Sequence, residues 1–351
     1  MRLNPEGLAA SRILKERRQA IAERVTGLYF EARPQLEQRW KEARKKCAED
    51  NRYHLDYLSE ALAFQQPALF TEYAAWAASL LASLNIPCEA LAFNLELLRT
   101  ALASELEGAG GALASRYLDA ALAQIASDVP EVPGHIVGTA PVDVLARDYL
   151  AALLRGERHA ADRLILAAAD GGTSVKDLYL LVFQRVLREV GRLWQSNHIG
   201  VAQEHYCTAC IQSIMSQLYP RIFSAERRGR RLVVACVGGD LHEIGGRMVA
   251  DFFEMEGWDT FFLGANTPIS GTLQQVAERA PHVLAISATM PFHLQAVADL
   301  IAAARAAGNP PRILVGGAAF SSVPDLWEDI GADGYARDAA EAIAMGKGWG
   351  D

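Results

Sequence analysis

Over residues 1–127, apolar positions recur at spacings of three and four, in long runs broken only by proline or glycine. Stretches 9–30, 35–63, 67–84, 87–106 and 112–125 carry this helical period, with alanine, leucine, glutamate and arginine dominant and no β-branched runs. Breaks fall at Arg33-Pro34, Gln66-Pro67, Ile86-Pro87 and Gly108-Ala109-Gly110-Gly111, residues that end helices. The expectation is an all-helical domain over 1–127, with bundle or globin-like packing. Residues 128–142 lose the period and are rich in proline and glycine, which predicts a linker. The helical period returns over 144–154, 158–169, 175–196 and 201–223, predicting an up-down four-helix bundle within 143–226. From 227 to 351 the pattern changes again. Short apolar runs at 232–237, 260–263, 283–287, 313–315 and 334–336 alternate with helical stretches at 245–256, 270–279, 292–307, 324–329 and 339–347. That alternation predicts a doubly wound, parallel, five-stranded sheet of the flavodoxin-like kind.

Composition narrows the field. The chain has 351 residues, 51% hydrophobic and 22% charged, with a net charge of −8. Such a balance suits a soluble globular protein and gives no general attraction to nucleic acid, and no basic recognition helix stands out. No apolar stretch reaches the roughly 18 residues that a membrane span needs. The first residues lack the apolar core of a signal peptide, so a cytoplasmic location is expected. Five cysteines (47, 88, 207, 210 and 236) suggest reduced thiols. Cys207-x-x-Cys210 lies mid-helix without a second ligand pair and reads as packing.

The chemistry concentrates at the carboxyl ends of the predicted strands, where open α/β sheets bind ligands. After the first strand comes Gly238-Gly239-Asp240-Leu241-His242-Glu243-Ile244-Gly245. An exposed imidazole there can ligate a metal, and a carboxylate two residues earlier can take its other N–H. Glu243 reads as an ordinary first-turn acid. The third strand ends in Ser287-Ala288-Thr289 and the fourth in Gly316-Gly317, small residues that open a slot between strands. Asp240-x-His242-x-x-Gly245, Ser287-x-Thr289 and Gly316-Gly317, in that order, resemble the signature of the cobalamin-binding domain family. The resemblance implies that His242 ligates cobalt from below in place of the cofactor's dimethylbenzimidazole. Asp240 would set its tautomer, and Ser287, Thr289, Gly316 and Gly317 would line the slot for the displaced tail.

In such families a helical bundle covers the upper face of the corrin. Trp194, followed by Glu204-His205 after the turn at 196–200, resembles the CarH-like light-sensing cobalamin photoreceptors, where the tryptophan and glutamate contact the adenosyl group of adenosylcobalamin. One position departs from that pattern. Gln195 stands where those photoreceptors have the histidine that takes the upper cobalt position after illumination, and the all-helical residues 1–127 stand where their DNA-binding domain is expected. The resemblance implies a light sensor whose output is a change in self-association or in contact with a partner, rather than an enzyme. The main rival is a corrinoid protein that carries methyl groups between methyltransferases. A subunit of an adenosylcobalamin mutase and a cobalamin storage scaffold are weaker rivals.

Polar and aromatic residues gather in the first domain at Arg52-Tyr53-His54-Leu55-Asp56-Tyr57 and at Tyr73-Ala74-Ala75-Trp76. A helical domain of this kind ahead of a cobalamin module is similar to the photocobilins, which add biliverdin as a second chromophore. The resemblance makes Arg52, His54, Tyr57 and Trp76 candidates for bilin contacts. Half-buried rings at a helix surface are the plainer account of the same residues.

Overall fold

The computed structural model describes residues 5–39, 42–127, 132–223, 226–323 and 325–349. It divides into two units. The first comprises Met1–Pro130 with two later segments, Met290–Gln295 and Ala319–Asp329; the second holds Glu131–Thr289, Ala296–Ala318 and Ile330–Asp351. The division is therefore not the contiguous one that composition suggests.

In the first unit the expected helices form as α1 (Pro5–Ala32), α2 (Pro34–Arg39), α3 (Ala43–Phe64), α4 (Ala68–Ser83), α5 (Cys88–Leu102) and α6 (Gly108–Ala126). The stretch read as one helix over 35–63 is two, with Glu42 in a left-handed conformation at the start of α3. α1 packs most extensively on α3, and Leu14, Ile21, Val25, Leu55, Leu58 and Leu62 of this pair are fully buried. Full burial of such side chains is worth about 1.5–3 kcal/mol each, which makes this pair the spine of the unit.

The second unit holds the bundle and the sheet. The bundle is α7 (Pro141–Leu154), α8 (Arg158–Asp170), α9 (Val175–Asp177), α10 (Gln184–Gln195) and α11 (Val201–Gln217), followed by the short α12 (Tyr219–Ile222). Between α9 and α10, residues Leu178–Phe183 form a π-helical turn inside what the sequence reads as one continuous helix. Pro220 follows the end of α11 at Gln217, so the helix read as reaching 223 restarts as α12. The linker expected at 128–142 lies outside the described residues as far as 131. Its described part is tied to α10, where Glu189 accepts the N–H of His135 at 2.7 Å and Arg185 donates to the Val137 carbonyl at 2.8 Å.

The sheet is parallel and five-stranded in the order β2-β1-β3-β4-β5, the flavodoxin-like order that the alternating pattern predicts. Its strands are β1 (Arg231–Cys236), β2 (Asp259–Phe262), β3 (Val283–Ser287), β4 (Arg312–Gly316) and β5 (Gly334–Ala336). The helices between and after the strands in sequence are α13 (Ile244–Met255), α14 (Ile269–Arg279), α15 (Leu294–Arg305), α16 (Leu326–Asp329) and α17 (Ala339–Gly348), of which α16 and the first two residues of α15 belong to the first unit. Pro324, the expected start of α16, lies outside the described residues. Register puts Cys236 beside Ser287, Ser287 beside Gly316, and Gly316 beside Ala336. The three motif loops therefore leave the sheet from one transverse row. Among the described residues, no helix is long and apolar enough to cross a membrane.

Glu60 of α3 is fully buried, paired with Lys15 at 2.5 Å and accepting the N–H of Gln295 at 3.0 Å. Burial pushes its carboxyl up to about 7, against the pull of Lys15 and the Gln295 N–H. The folded state thus holds the proton more tightly than the unfolded chain. Glu60 contributes most stability below pH ~4.5 and loses it as pH rises to about 7, a difference on the order of 3 kcal/mol. Denaturant unfolding of Glu60→Gln across this window should be flatter with pH than that of the parent; equal slopes would refute the assignment.

Candidate functional site

β1 delivers the chain to Val237, which bridges to Thr267, and Gly239 turns it at a φ of 89°. Asp240, with no exposed surface, then closes the turn. Its Oδ1 accepts the backbone N–H of His242 at 3.0 Å and the imidazole Nδ1–H at 2.8 Å, and its Oδ2 accepts the N–H of Thr289 at 2.5 Å. A buried carboxylate is tolerable only with donors of this kind. One side chain thus fixes the His242 backbone, its ring and the loop beyond β3.

The His242 side chain is 60% exposed despite that anchor. Donation from Nδ1 leaves Nε2 as the free lone pair, aimed outward for a metal. The hydrogen bond to Asp240 raises its pKa; partial burial lowers it, and the charges of Asp240 and Glu204 raise it further. Glu204 is on α11, so the bundle places a carboxylate within electrostatic reach of the histidine.

The other sequence candidates take definite places. Gly245 sits one residue into α13, and a Cβ there would meet nothing within 4 Å, so the surface beside His242 is open. Gly317 behaves differently from the reading that glycines open a slot. At a φ of 101° its missing Cβ position is taken by the Ala288 carbonyl, 2.2 Å away, so this glycine lets the β3 and β4 loops touch. A Cβ on Gly316 would lie 2.9 Å from the Ala336 carbonyl. Ser287 is half-buried at the end of β3, and the Ala288 N–H donates to Gly316 at 3.0 Å. In the bundle, Trp194 is half-buried near the end of α10 and Gln195 is buried. Glu204 Oε2 accepts from His205 Nδ1 at 2.5 Å, and Oε1 accepts the Thr208 hydroxyl at 2.9 Å. His205 itself is 74% exposed.

Asn266 was missed by sequence reasoning. Its side-chain oxygen accepts the Gly239 N–H at 2.7 Å and its own N–H donates to the Asp240 carbonyl at 2.8 Å, from a left-handed φ of 50°. The signal was present, since Gly264-Ala265-Asn266-Thr267 follows the second strand at the same sheet edge.

In the first unit, His54 is buried and its Nδ1 lies 2.8 Å from the Tyr73 hydroxyl. Burial depresses its pKa to about 4, so it is neutral. Tyr57 stacks on Tyr73 at 3.7 Å, and Trp76 adjoins Tyr73 at 6.2 Å. Arg52 lies by Gln19 at 3.3 Å and Glu49 at 3.9 Å. The structure therefore gathers His54, Tyr57 and Trp76 around Tyr73 but turns Arg52 to other partners. The rings fill one another's faces, and this placement leaves no opening between Tyr57 and Tyr73 for a planar ligand.

Residues 230–344 match the family model of the B12 binding domain, and residues 145–219 match a second model of the same description. The bundle and the sheet are thus each similar to a B12 binding domain. Residues 2–125 match the family model of phycobilisome proteins. Dimethylamine corrinoid protein 3 of Methanosarcina acetivorans is 33% identical over 35% of this chain and 58% of its own length. The HTH-type transcriptional repressor CarA of Myxococcus xanthus is 29% identical over 46% of this chain and 53% of its own. The chain spans rather more than half the length of these curated relatives. The monomethylamine corrinoid protein of Methanosarcina barkeri shares the fold, with a TM-score of 0.52 at 20% identity over 58% of this chain and 97% of its own.

An exposed imidazole with its second nitrogen already held fits a lower cobalt ligand. Replacing Asp240 by Ala should weaken cobalamin binding about 10- to 100-fold, the usual cost of losing such a support. Absorption titration with hydroxocobalamin measures it, and unchanged affinity would show that His242 needs no anchor.

Proposed function

We propose that this protein is a light-responsive cobalamin receptor. The observation that carries the reading is the pairing on one chain of stretches matching B12 binding domains with a helical region matching phycobilisome proteins. Adenosylcobalamin, when bound, supplies a cobalt–carbon bond that light can break. The chain's own contributions are separate. Asp240 orients His242 from the buried side, and His242 offers Nε2 on the exposed side. Trp194, Glu204 and His205 form the bundle's end, with Glu204 close enough to feel the histidine. Gln195 is buried and cannot replace a histidine as a strong metal ligand, so the dark and lit states are expected to differ chiefly in how the bundle end is packed. The output is a change in self-association or in contact with a protein partner, with no role for nucleic acid or membrane.

A bilin as second chromophore rests on the phycobilisome match. Arg52, His54, Tyr57 and Trp76 do not form an open cradle as they stand, so no step is assigned to it.

A methyl carrier in a corrinoid methyltransferase system is the second reading. For the module alone the relatives favour it, since dimethylamine corrinoid proteins recur among them. The helical region of residues 2–125 is what the carrier reading leaves without a purpose.

Green light on the adenosylcobalamin-loaded chain should shift both its absorption spectrum and its size-exclusion elution. If neither changes while adenosyl- and methylcobalamin bind equally well, the carrier reading replaces the sensor. Protein produced with biliverdin present should show a red-absorbing band; cobalamin bands alone would remove the bilin.

A further inference from the structure

Sequence spacing makes Glu243 an ordinary first-turn acid, but the structure gives both of its oxygens partners on other elements. Oε1 accepts the side-chain amide of Gln212 on α11 at 2.7 Å, and Oε2 accepts the N–H of Ala265 beyond β2 at 3.1 Å. Gln212 stands on a stripe of α11 spaced by four: Glu204, Thr208, Gln212 and Ser216. Thr208 donates to Glu204, and Ser216 accepts from Arg247 of α13 at 2.8 Å. Arg247 follows Glu243 by one turn and also donates to the Gln212 carbonyl at 3.3 Å and the Tyr219 hydroxyl at 3.0 Å. One turn further, Asp251 accepts the hydroxyl of Tyr179 at 2.8 Å. The seam between bundle and sheet is thus hydrogen-bonded at each turn of α13, and its head adjoins His242.

We propose that the Gln212–Glu243 pair is a latch that holds α11, and with it Glu204, in register over the His242 turn. It rests on the cobalamin reading only for its consequence at the cofactor. Polar contacts suit a latch better than apolar packing would, because their net worth is small and separation returns both groups to water. Glu243 and Gln212 are positioning residues: they act on the access and placement of Glu204, not on the cobalt ligand.

The test uses the full chain with Glu243→Ala, Gln212→Ala, the double variant and Glu243→Gln. In Glu243→Gln a flipped Gln212 amide can restore both hydrogen bonds. Without cofactor, amide hydrogen exchange across 204–217 should speed up in both alanine variants and stay near the parent in Glu243→Gln. With hydroxocobalamin bound, cyanide should replace the upper ligand roughly 10-fold faster in either alanine variant, at the low end of what a hydrogen bond to a charged group is worth. The double variant should be no faster than either single one. Unchanged exchange in both alanine variants, or effects that add in the double variant, would overturn the latch. If the parent takes up no hydroxocobalamin, the cobalamin reading falls, and exchange in the cofactor-free protein still decides the latch.

Discussion

A single buried carboxylate holds the site together. Asp240 has no exposed surface, and its donors include the His242 backbone and ring and the Thr289 N–H, from two different loops. An unpaired charge at this depth would cost several kcal/mol, so the His242 turn and the loop after β3 stay where Asp240 needs them. His242 is consequently both exposed and oriented, a combination that a flexible loop does not provide. The remaining supports work on the same turn from outside. Asn266 holds Gly239 and the Asp240 backbone, and Gly317 allows the β4 loop to close on Ala288.

The Asp240–His242 turn suits both proposed readings, light sensor and methyl carrier, so what separates them lies elsewhere. The bundle end is the first place, where Glu204 is held by His205 and Thr208 and its charge reaches His242. The seam along α13 is the second. An interface of Glu243, Arg247 and Asp251 with Gln212, Ser216, Tyr219 and Tyr179 specifies register, while its net strength is modest. That is a suitable property wherever a bundle has to be placed accurately and still be displaced.

The first unit adds a different constraint. Its aromatic centre is tightly satisfied, with Tyr57 on Tyr73 and His54 neutral beneath burial. A ligand entering there has to displace a ring pair rather than fill a void. Glu60 shows the same economy: a fully buried acid made tolerable by Lys15 and one backbone N–H, at the edge of protonation near neutral pH.

Much of this was legible in the sequence. Helical period and strand length identified the helices of residues 5–126, the bundle and the parallel sheet, because which face of an element is buried is written locally in its side chains. Asp240, His242 and Gly245 were legible for the same reason: strand, turn and helix start are contiguous, and the hydrogen bond from His242 to Asp240 spans two residues. Where the sequence misled, the missing information was non-local. It could not show the π-helical turn at 178–183, the break at Glu42, or the segments Met290–Gln295 and Ala319–Asp329 that join the first unit. Nor could it show that Gly317 serves contact between loops, that Arg52 turns away from the aromatic cluster, or that Glu243 meets Gln212 31 residues earlier. Those depend on how elements far apart in the chain dock, and docking is settled by shape and hydrogen bonding between surfaces that no local pattern encodes.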